Sequence, residues 1–344
     1  MLYTDLIDPA TLSGYARAAL ADYEQRRGTL ARWLPNREIA DVVARFVAGQ
    51  TGLIDVAKFR AYDAEPEIGK RPAGKRVTIE MPALGQNIPV SEYEQLRARG
   101  GTVTDEAALA TVLSATRVVA HAVSDAIEQM RGIVLYTGKA TINQDNYISE
   151  DDFGRAAGHT ITAPALWSVA ATDALGQLQT WSDTYVDANG EAPGAIVMST
   201  RAVRALGNLD QMATQLLNGG SRKAALDEVQ RIVDGAGLPP IYLYDRKVSV
   251  GGTPTRVIPD DRVLLLPAPV ETDAWQDTEL GATFWGRTLT ASDPEWEIAD
   301  VEQPGVVAGV YRNPKPPMGL EVISDAIGLP VLANANLSFA VDVL

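Results

Sequence analysis

Cysteine is absent from this 344-residue sequence, and histidine occurs only twice, at His121 and His159. Without thiols the chain cannot form a disulfide framework, a thiolate metal site or a cysteine nucleophile. The sequence also lacks metal-ligand spacing between the histidines, a phosphate-binding glycine loop, a nucleophile-elbow serine and a zinc-protease helix. We therefore predict no catalytic residue, no metal site and no cofactor, and we expect structural roles for both histidines.

Long apolar runs are missing as well. The densest run, residues 263–266, is far shorter than the roughly 20 residues that a helix needs to cross a bilayer. The first residues lack the basic region and apolar stretch of a signal peptide. We therefore expect no signal-directed secretion and no membrane insertion, and the lack of cysteine is typical of a reducing cytoplasm.

Basic charge is scarce, with 30 lysines and arginines against 44 aspartates and glutamates. The deficit lies mainly in residues 251–344, which contain 5 basic and 14 acidic side chains, whereas residues 1–100 contain 14 and 13. Because sequence-independent nucleic-acid binding depends on cations that neutralise phosphates, the composition argues against it. The simplest reading of the acidity is that it keeps the protein soluble.

Helix signals dominate two segments. Asp8 is a suitable N-cap and Pro9 suits the first helical position, which predicts a helix over residues 9–27 that ends at Gly28. Residues 33–39 read as an irregular arm. A second, longer helix is predicted over residues 105–131, with apolar residues at steps of three and four and a stop at Gly132. It would extend about 40 Å and could act as a beam.

A long hairpin is predicted between these helices, over residues 53–91. Segments 59–63 and 77–81 suit extended strands, and residues 69–76 between them contain two glycines and a proline. Two basic pairs flank the centre of this turn, so its tip is predicted to be polar and positive. Since a two-stranded hairpin is only marginally stable in water, this one needs a surface to lie on.

The rest of the sequence predicts an α+β mixture. Residues 160–300 suit helices over 165–185 and 221–233 and strands over 195–198, 241–244 and 262–266. Residues 306–344 suit three further strands, over 306–311, 319–323 and 337–343, which we expect to pack against the long helix.

The ordered set of these features resembles the lambda-type major capsid proteins of tailed bacteriophages, the major capsid protein E family. The features that carry the resemblance are the arm, residues 59–66, the basic tip, residues 84–93 and the long helix. The resemblance covers essentially the whole chain and is sharpest between residues 40 and 137. It implies the tailed-phage and herpesvirus capsid fold: an N-terminal arm (1–52), an extended β-hairpin loop (53–91), a peripheral domain (92–164) with a spine helix (105–131), and an axial domain (165–300). Residues 301–344 would return to the peripheral domain as strands.

The resemblance also implies a function without catalysis: self-assembly into the hexamers and pentamers of an icosahedral phage head around double-stranded DNA. The expected location is the virion, after assembly in the host cytoplasm. Expected partners are further copies of the chain, a separate scaffolding protein, a portal, a decoration protein and, by weak non-specific proximity only, packaged DNA. Candidate contacts between copies, held without covalent bonds, are Phe59, Arg60, Tyr62, Asp63, Lys70, Arg71, Lys75 and Arg76.

Three alternatives stay open at this point. The basic tip could simply be solvated, as most charge runs are. The chain could be another self-assembling virion part, such as a tail-tube or decoration protein, although tube subunits are typically smaller and richer in strands. Carboxylates at residues 150–152 and 260–261 could serve a hydrolase, although acids in surface turns explain them better.

Overall fold

The computed structural model of the chain describes residues 2–48, 75–98, 105–144, 147–217 and 223–344. These residues form eight α-helices: α1 (Pro9–Arg27), α2 (Glu92–Ala98), α3 (Asp105–Thr137), α4 (Ala174–Asn189), α5 (Thr200–Gly207), α6 (Asp210–Leu217), α7 (Leu226–Gly235) and α8 (Leu289–Ser292). They also form sixteen β-strands: β1 (Asn36–Glu38), β2 (Val43–Ala48), β3 (Lys75–Glu80), β4 (Ala83–Val90), β5 (Lys139–Gln144), β6 (Tyr147–Asp152), β7 (Thr160–Thr162), β8 (Ala195–Met198), β9 (Ile241–Leu243), β10 (Lys247–Val250), β11 (Thr253–Arg256), β12 (Arg262–Leu266), β13 (Gly281–Gly286), β14 (Val307–Arg312), β15 (Leu320–Leu332) and β16 (Phe339–Asp342). The predicted α+β class is confirmed.

The first of two five-stranded sheets is built around β15. Its strand order is β1-β13-β15-β14, and β4 pairs with β15 in addition. All these pairs are antiparallel except β1 with β13. Along β15, residues 320–327 alternate between buried and half-buried, because one face of the sheet packs on α3.

The second sheet has the order β7-β16-β12-β8-β9, and every residue of strand β8, which lies between β12 and β9, is buried. The predicted domain boundary at residue 300 does not divide the sheets, because β13 lies in the first sheet and β16 in the second. The last strand, β16, contacts the long helix as expected, and it pairs with β12 and β7 of the second sheet. Phe284 of the first sheet and Phe339 of the second belong to one continuous hydrophobic core, so burial favours this crossing of the chain.

Helix α1 begins and ends where the sequence predicts. The Asp8 carboxylate accepts a hydrogen bond from the Thr11 amide at 2.8 Å, and Gly28 follows the helix with a φ of 79°. The helix packs on α3 and β14, where the Ser13 hydroxyl accepts a hydrogen bond from the Ala308 amide at 3.0 Å. The first part of the predicted arm is thus a helix packed on its own subunit.

Helix α3 is longer than predicted. Its 33 residues extend about 50 Å and continue past Gly132 to Thr137. A Cβ at Gly132 would lie 2.3 Å from the Val257 carbonyl oxygen, so this glycine permits close packing and does not end the helix. Gly138, with a φ of 74°, follows the last turn. The Arg155 guanidinium donates hydrogen bonds to the Leu135 and Tyr136 carbonyls at 2.8 and 2.6 Å, which satisfies two free acceptors at the helix end.

Two other helix starts also differ from prediction. Helix α4 begins at Ala174 instead of residue 165, because the Asp173 carboxylate caps it by accepting from the Gly176 amide at 2.9 Å. Helix α7 begins at Leu226, where the Glu228 carboxylate accepts from the Ala225 amide at 2.7 Å. The predicted cap of that helix, Ser221, lies outside the described residues.

The packing at Gly132 predicts that two glycine-to-alanine substitutions change the free energy of unfolding in opposite directions. Gly132→Ala should destabilise the subunit by about 1–3 kcal/mol, because the new methyl group would meet the Val257 backbone. Gly14→Ala, in the middle of α1 with open space around it, should stabilise the subunit by about 1 kcal/mol through helix propensity. Urea unfolding of unassembled protein measures both, and a stabilising Gly132→Ala would contradict the packing.

Candidate assembly surfaces

A two-stranded ribbon, β2 with β3, rises from the first sheet near the end of β13. Ala44 and Ile79 are buried at its root, and the Phe46 ring stacks on Phe284 with the ring centroids 6.3 Å apart. The Met81 amide donates to the Val42 carbonyl at 3.0 Å and so closes the base of the ribbon. The root is therefore held by apolar packing, and its direction is fixed by the subunit body.

The ribbon register runs without a break from Val43 opposite Glu80 to Ala48 opposite Lys75. The predicted strand at 77–81 thus exists as Lys75–Glu80, and its partner among the described residues is Val43–Ala48. The strand predicted at 59–63 lies outside the described residues. Lys75 and Arg76 lie in strand β3 and not in the predicted turn. The other candidate contacts lie outside the described residues: Phe59, Arg60, Tyr62, Asp63, Lys70 and Arg71.

Strand β4 does not belong to the ribbon, although the predicted loop extends to residue 91. It pairs with β15 over its whole length, from Ala83 opposite Ile327 to Val90 opposite Leu320. The reason is burial, since Val90 and Leu320 lie in an apolar cluster with Val112 of α3. The described part of the projecting loop therefore consists of β2 and β3 alone.

A fully buried ion pair on α3 fixes the helices and strands from which the ribbon projects. The Arg131 guanidinium, with no exposed surface, lies 2.9 Å from the Glu24 carboxylate and 3.0 Å from the Glu128 carboxylate. It also donates to the Asn36 side chain at 2.7 Å and the Thr283 hydroxyl at 2.9 Å. Burial lowers the pKa of Arg131, but the two carboxylates outweigh it and the pKa is raised. One side chain thus connects α1, α3, β1 and β13.

The second oxygen of Glu128 extends this junction to the second sheet's side of the molecule. It accepts hydrogen bonds from the Leu30 amide at 2.7 Å and the Tyr244 hydroxyl at 2.5 Å. Burial and the Glu128 charge raise the pKa of Tyr244, so its hydroxyl stays protonated and donates. Arg246 donates to Asp125 at 2.9 Å, which adds a second contact with α3.

Sequence reasoning missed this junction. Glu128 and Arg131 are three residues apart on one helix, which normally indicates a solvated surface pair. Helix periodicity places Ile127 and Met130 on the apolar face of α3. The charged residues next to them, Glu128 and Arg131, could therefore have been recognised as a candidate buried pair. Their burial depends on Glu24, which the sequence separates from them by more than a hundred residues.

Both histidines take part in packing. The His121 ring stacks on Tyr23 of α1 with the centroids 4.0 Å apart, and a His159 ring nitrogen lies 2.9 Å from the Asn336 carbonyl. Burial lowers the pKa of each. Within the described ranges, no three His, Asp or Glu side chains are grouped so that they could hold a metal ion. None of the helices in that part of the chain has the length and apolarity for a bilayer crossing.

The family model described as phage major capsid protein E matches residues 24–281, well over half of the chain. The chain belongs to the phage major capsid protein E family. The matched range includes the ribbon, the spine helix α3 and the buried junction. None of the curated proteins matches the chain significantly in sequence.

Solved structures agree with the family in fold. A prophage protein of E. coli CFT073, assigned as a capsid protein, has 14% identity and a TM-score of 0.63, with 98% of this chain and 99% of that chain covered. A phage-related protein from Bordetella bronchiseptica RB50 has 14% identity and a TM-score of 0.58, with 97% and 96% covered. This major capsid protein therefore has the capsid fold of tailed phages, builds the phage shell and is a component of the virion.

The buried junction predicts a large effect for Arg131→Met. Removing this cation leaves Glu24 buried without its ion pair and leaves Glu128 with only the more distant Arg246 guanidinium at 3.8 Å, which should cost about 3–5 kcal/mol of unfolding free energy. The control is Arg26→Met, which removes an exposed pair with Asp22 and should leave stability almost unchanged. Equal effects of the two substitutions in urea unfolding would contradict the role of the junction.

The ribbon root predicts a local effect for Phe46→Ala. Losing the stacking on Phe284 should cost about 1–2 kcal/mol and speed amide hydrogen exchange in β2 and β3. Arg45→Ala is the control, because the neighbouring Arg45 side chain is exposed and its ion pair within the described residues is with exposed Asp41. If exchange in the two strands were unchanged by Phe46→Ala, the ribbon would not be held by this contact.

Proposed function

We propose that copies of this capsid protein form the hexamers and pentamers of an icosahedral head around double-stranded DNA. In this proposal the ribbon joins the copies head to tail. The root geometry carries the proposal: β2 and β3 end opposite each other at Ala48 and Lys75, so residues 49–74 leave and re-enter the subunit at one place. In the proposed structure, residues 49–74 continue the two-stranded ribbon.

The low stability of an isolated two-stranded ribbon supports the proposal that it binds a partner surface. Two strands alone are marginal in water, so a continuation of β2 and β3 gains stability from a surface beyond its root. An adjacent copy supplies that surface, and contacts that run in one direction close into rings. The residues proposed to contact the neighbour are Phe59, Arg60, Tyr62, Asp63, Lys70, Arg71, Lys75 and Arg76.

The domain map that we propose follows the sheets. The extended loop covers residues 43–80, between the β2 and β3 ends that anchor it. The peripheral domain contains α1, α3 and the first sheet, and the axial domain contains α4 to α7 and the second sheet. This map replaces the predicted boundaries at residues 53, 91 and 300.

The proposed surroundings of the shell follow from family membership and charge. A separate scaffolding protein, a portal and a decoration protein are proposed partners, with assembly in the host cytoplasm. The excess of acidic side chains supports weak, non-specific proximity to packaged DNA, which an inner wall must let slide. The packing roles of His121 and His159 support a function without catalysis, and the copies are held together without covalent bonds.

Deleting the segment beyond the ribbon root tests the proposal. A variant that joins Ala48 to Lys75 by a short Asn-Gly turn should fold, because the root packing is kept. It should stay a monomer, with sedimentation and electron microscopy as readouts. The control lengthens the exposed two-residue β10–β11 turn at Gly251–Gly252 by two glycines and should still form shells. Closed shells from the deletion variant would overturn the head-to-tail role of the ribbon.

A further inference from the structure

An open groove of about 630 Å³ lies where the two sheets meet. The end of α4, the start of β8 and the connection between β12 and β13 form its walls. Tyr185 and Ala268 are among its lining residues, and three carboxylates line it as well: Glu191, Asp277 and Glu279. The groove is large enough for several side chains of an extended segment.

The charge of this groove is uncompensated. Among the described residues, no lysine, arginine or histidine forms an ion pair with Glu191, Asp277 or Glu279. The sequence has no lysine or arginine between Arg262 and Arg287, while four acidic residues occur between positions 271 and 279. Like charges around one concave surface strengthen its negative potential, so the groove favours a cationic occupant.

The same chain contains a segment of matching chemistry. Residues 69–76 hold four cations, Lys70, Arg71, Lys75 and Arg76, and no acidic residue. The cations outnumber the three carboxylates of the groove by one. Charge complementarity of this kind steers association and selects the partner surface.

Groove and ribbon lie at opposite ends of β13. Glu279 stands just before this strand, whereas Gly286 lies at its other end, where a Cβ would come within 2.8 Å of the Met81 side chain at the ribbon root. The two ends are about 17 Å apart at 3.3–3.4 Å per residue. Because β1 runs parallel to β13, the chain enters the ribbon while moving away from its own groove. A head-to-tail ring requires that the projecting ribbon and the surface that receives it lie at opposite ends of one subunit.

We infer that the groove at Glu191, Asp277 and Glu279 receives the basic segment 69–76 of a neighbouring copy. This inference rests on the proposed function and names the receiving surface. Residues 49–74, paired as a continued ribbon, reach at most about 43 Å beyond the root, which is long enough to span to an adjacent subunit.

Charge reversal tests the inference. Asp277→Lys with Glu279→Lys changes the groove carboxylates from a charge of −3 to a net of +1, and Lys70→Glu, Arg71→Glu, Lys75→Glu and Arg76→Glu together change the segment from +4 to −4. Each variant alone should slow shell assembly, followed by light scattering at low salt, by about tenfold or more. The control, Glu295→Lys with Glu297→Lys, makes the same charge change on another exposed acidic segment and should assemble like the parent. Unfolding curves verify that each variant is folded.

Mixing the two reversed proteins separates contacts between copies from contacts within one copy. Each protein then offers the other a complementary groove or segment, so alternating rings should form. Alternation closes a ring of six but not a ring of five, so the mixture should give hexameric sheets or tubes rather than closed shells.

Normal assembly of the groove variant, slowed assembly of the Glu295/Glu297 control, or a mixture without rescue would each overturn the inference. The ribbon-deletion variant distinguishes a failure of this inference from a failure of the proposed function. If it fails to assemble while the groove variant assembles normally, the ribbon contact stands and only its receiving surface is wrong.

Discussion

The buried pair of Glu128 and Arg131 is the contact on which the arrangement of this subunit depends. Both side chains are without exposed surface, and together they bind α1, the start of β1, β13 and the Tyr244 turn to the spine helix. A buried charge is costly unless it is paired and hydrogen bonded, so these elements must meet in one geometry. The spine helix is therefore the rigid reference to which each projecting part is attached.

A shell subunit has to combine this rigidity with adaptable contacts. The ribbon root is fixed against β13, because Ala44 and Ile79 are buried and Phe46 stacks on Phe284. In the proposed assembly the ribbon is bound beyond its root mainly by charge, and such a contact tolerates the different angles of five- and six-membered rings better than a close-packed apolar interface would. The proposed receiving groove at the other end of β13 would make the contact run in one direction around the ring. A rigid core, a fixed root and a charged contact would then let one fold serve both ring sizes.

Sequence reasoning worked where the signal is local. Asp8, Pro9 and Gly28 lie within or next to α1 and mark both its ends, and the buried strands β8 and β12 stand out by their apolar runs. It failed where the cause is distant in sequence. Gly132 does not end α3, because its role is to let Val257 pack closely against the helix. Strand β3 pairs with β2 because the root of the ribbon is buried. The groove was missed because its walls come from three separate segments.

In the proposed assembly the ribbon of one copy is bound by the next copy around a ring. A cryo-electron microscopy map of assembled shells tests it most directly, because it traces residues 49–74 between Ala48 and Lys75. Continuous density should leave the first sheet at the ribbon root and end against the acidic groove of the adjacent subunit. Density that folds this segment back onto its own subunit, in hexamers and pentamers alike, would show that the ribbon does not join neighbouring copies.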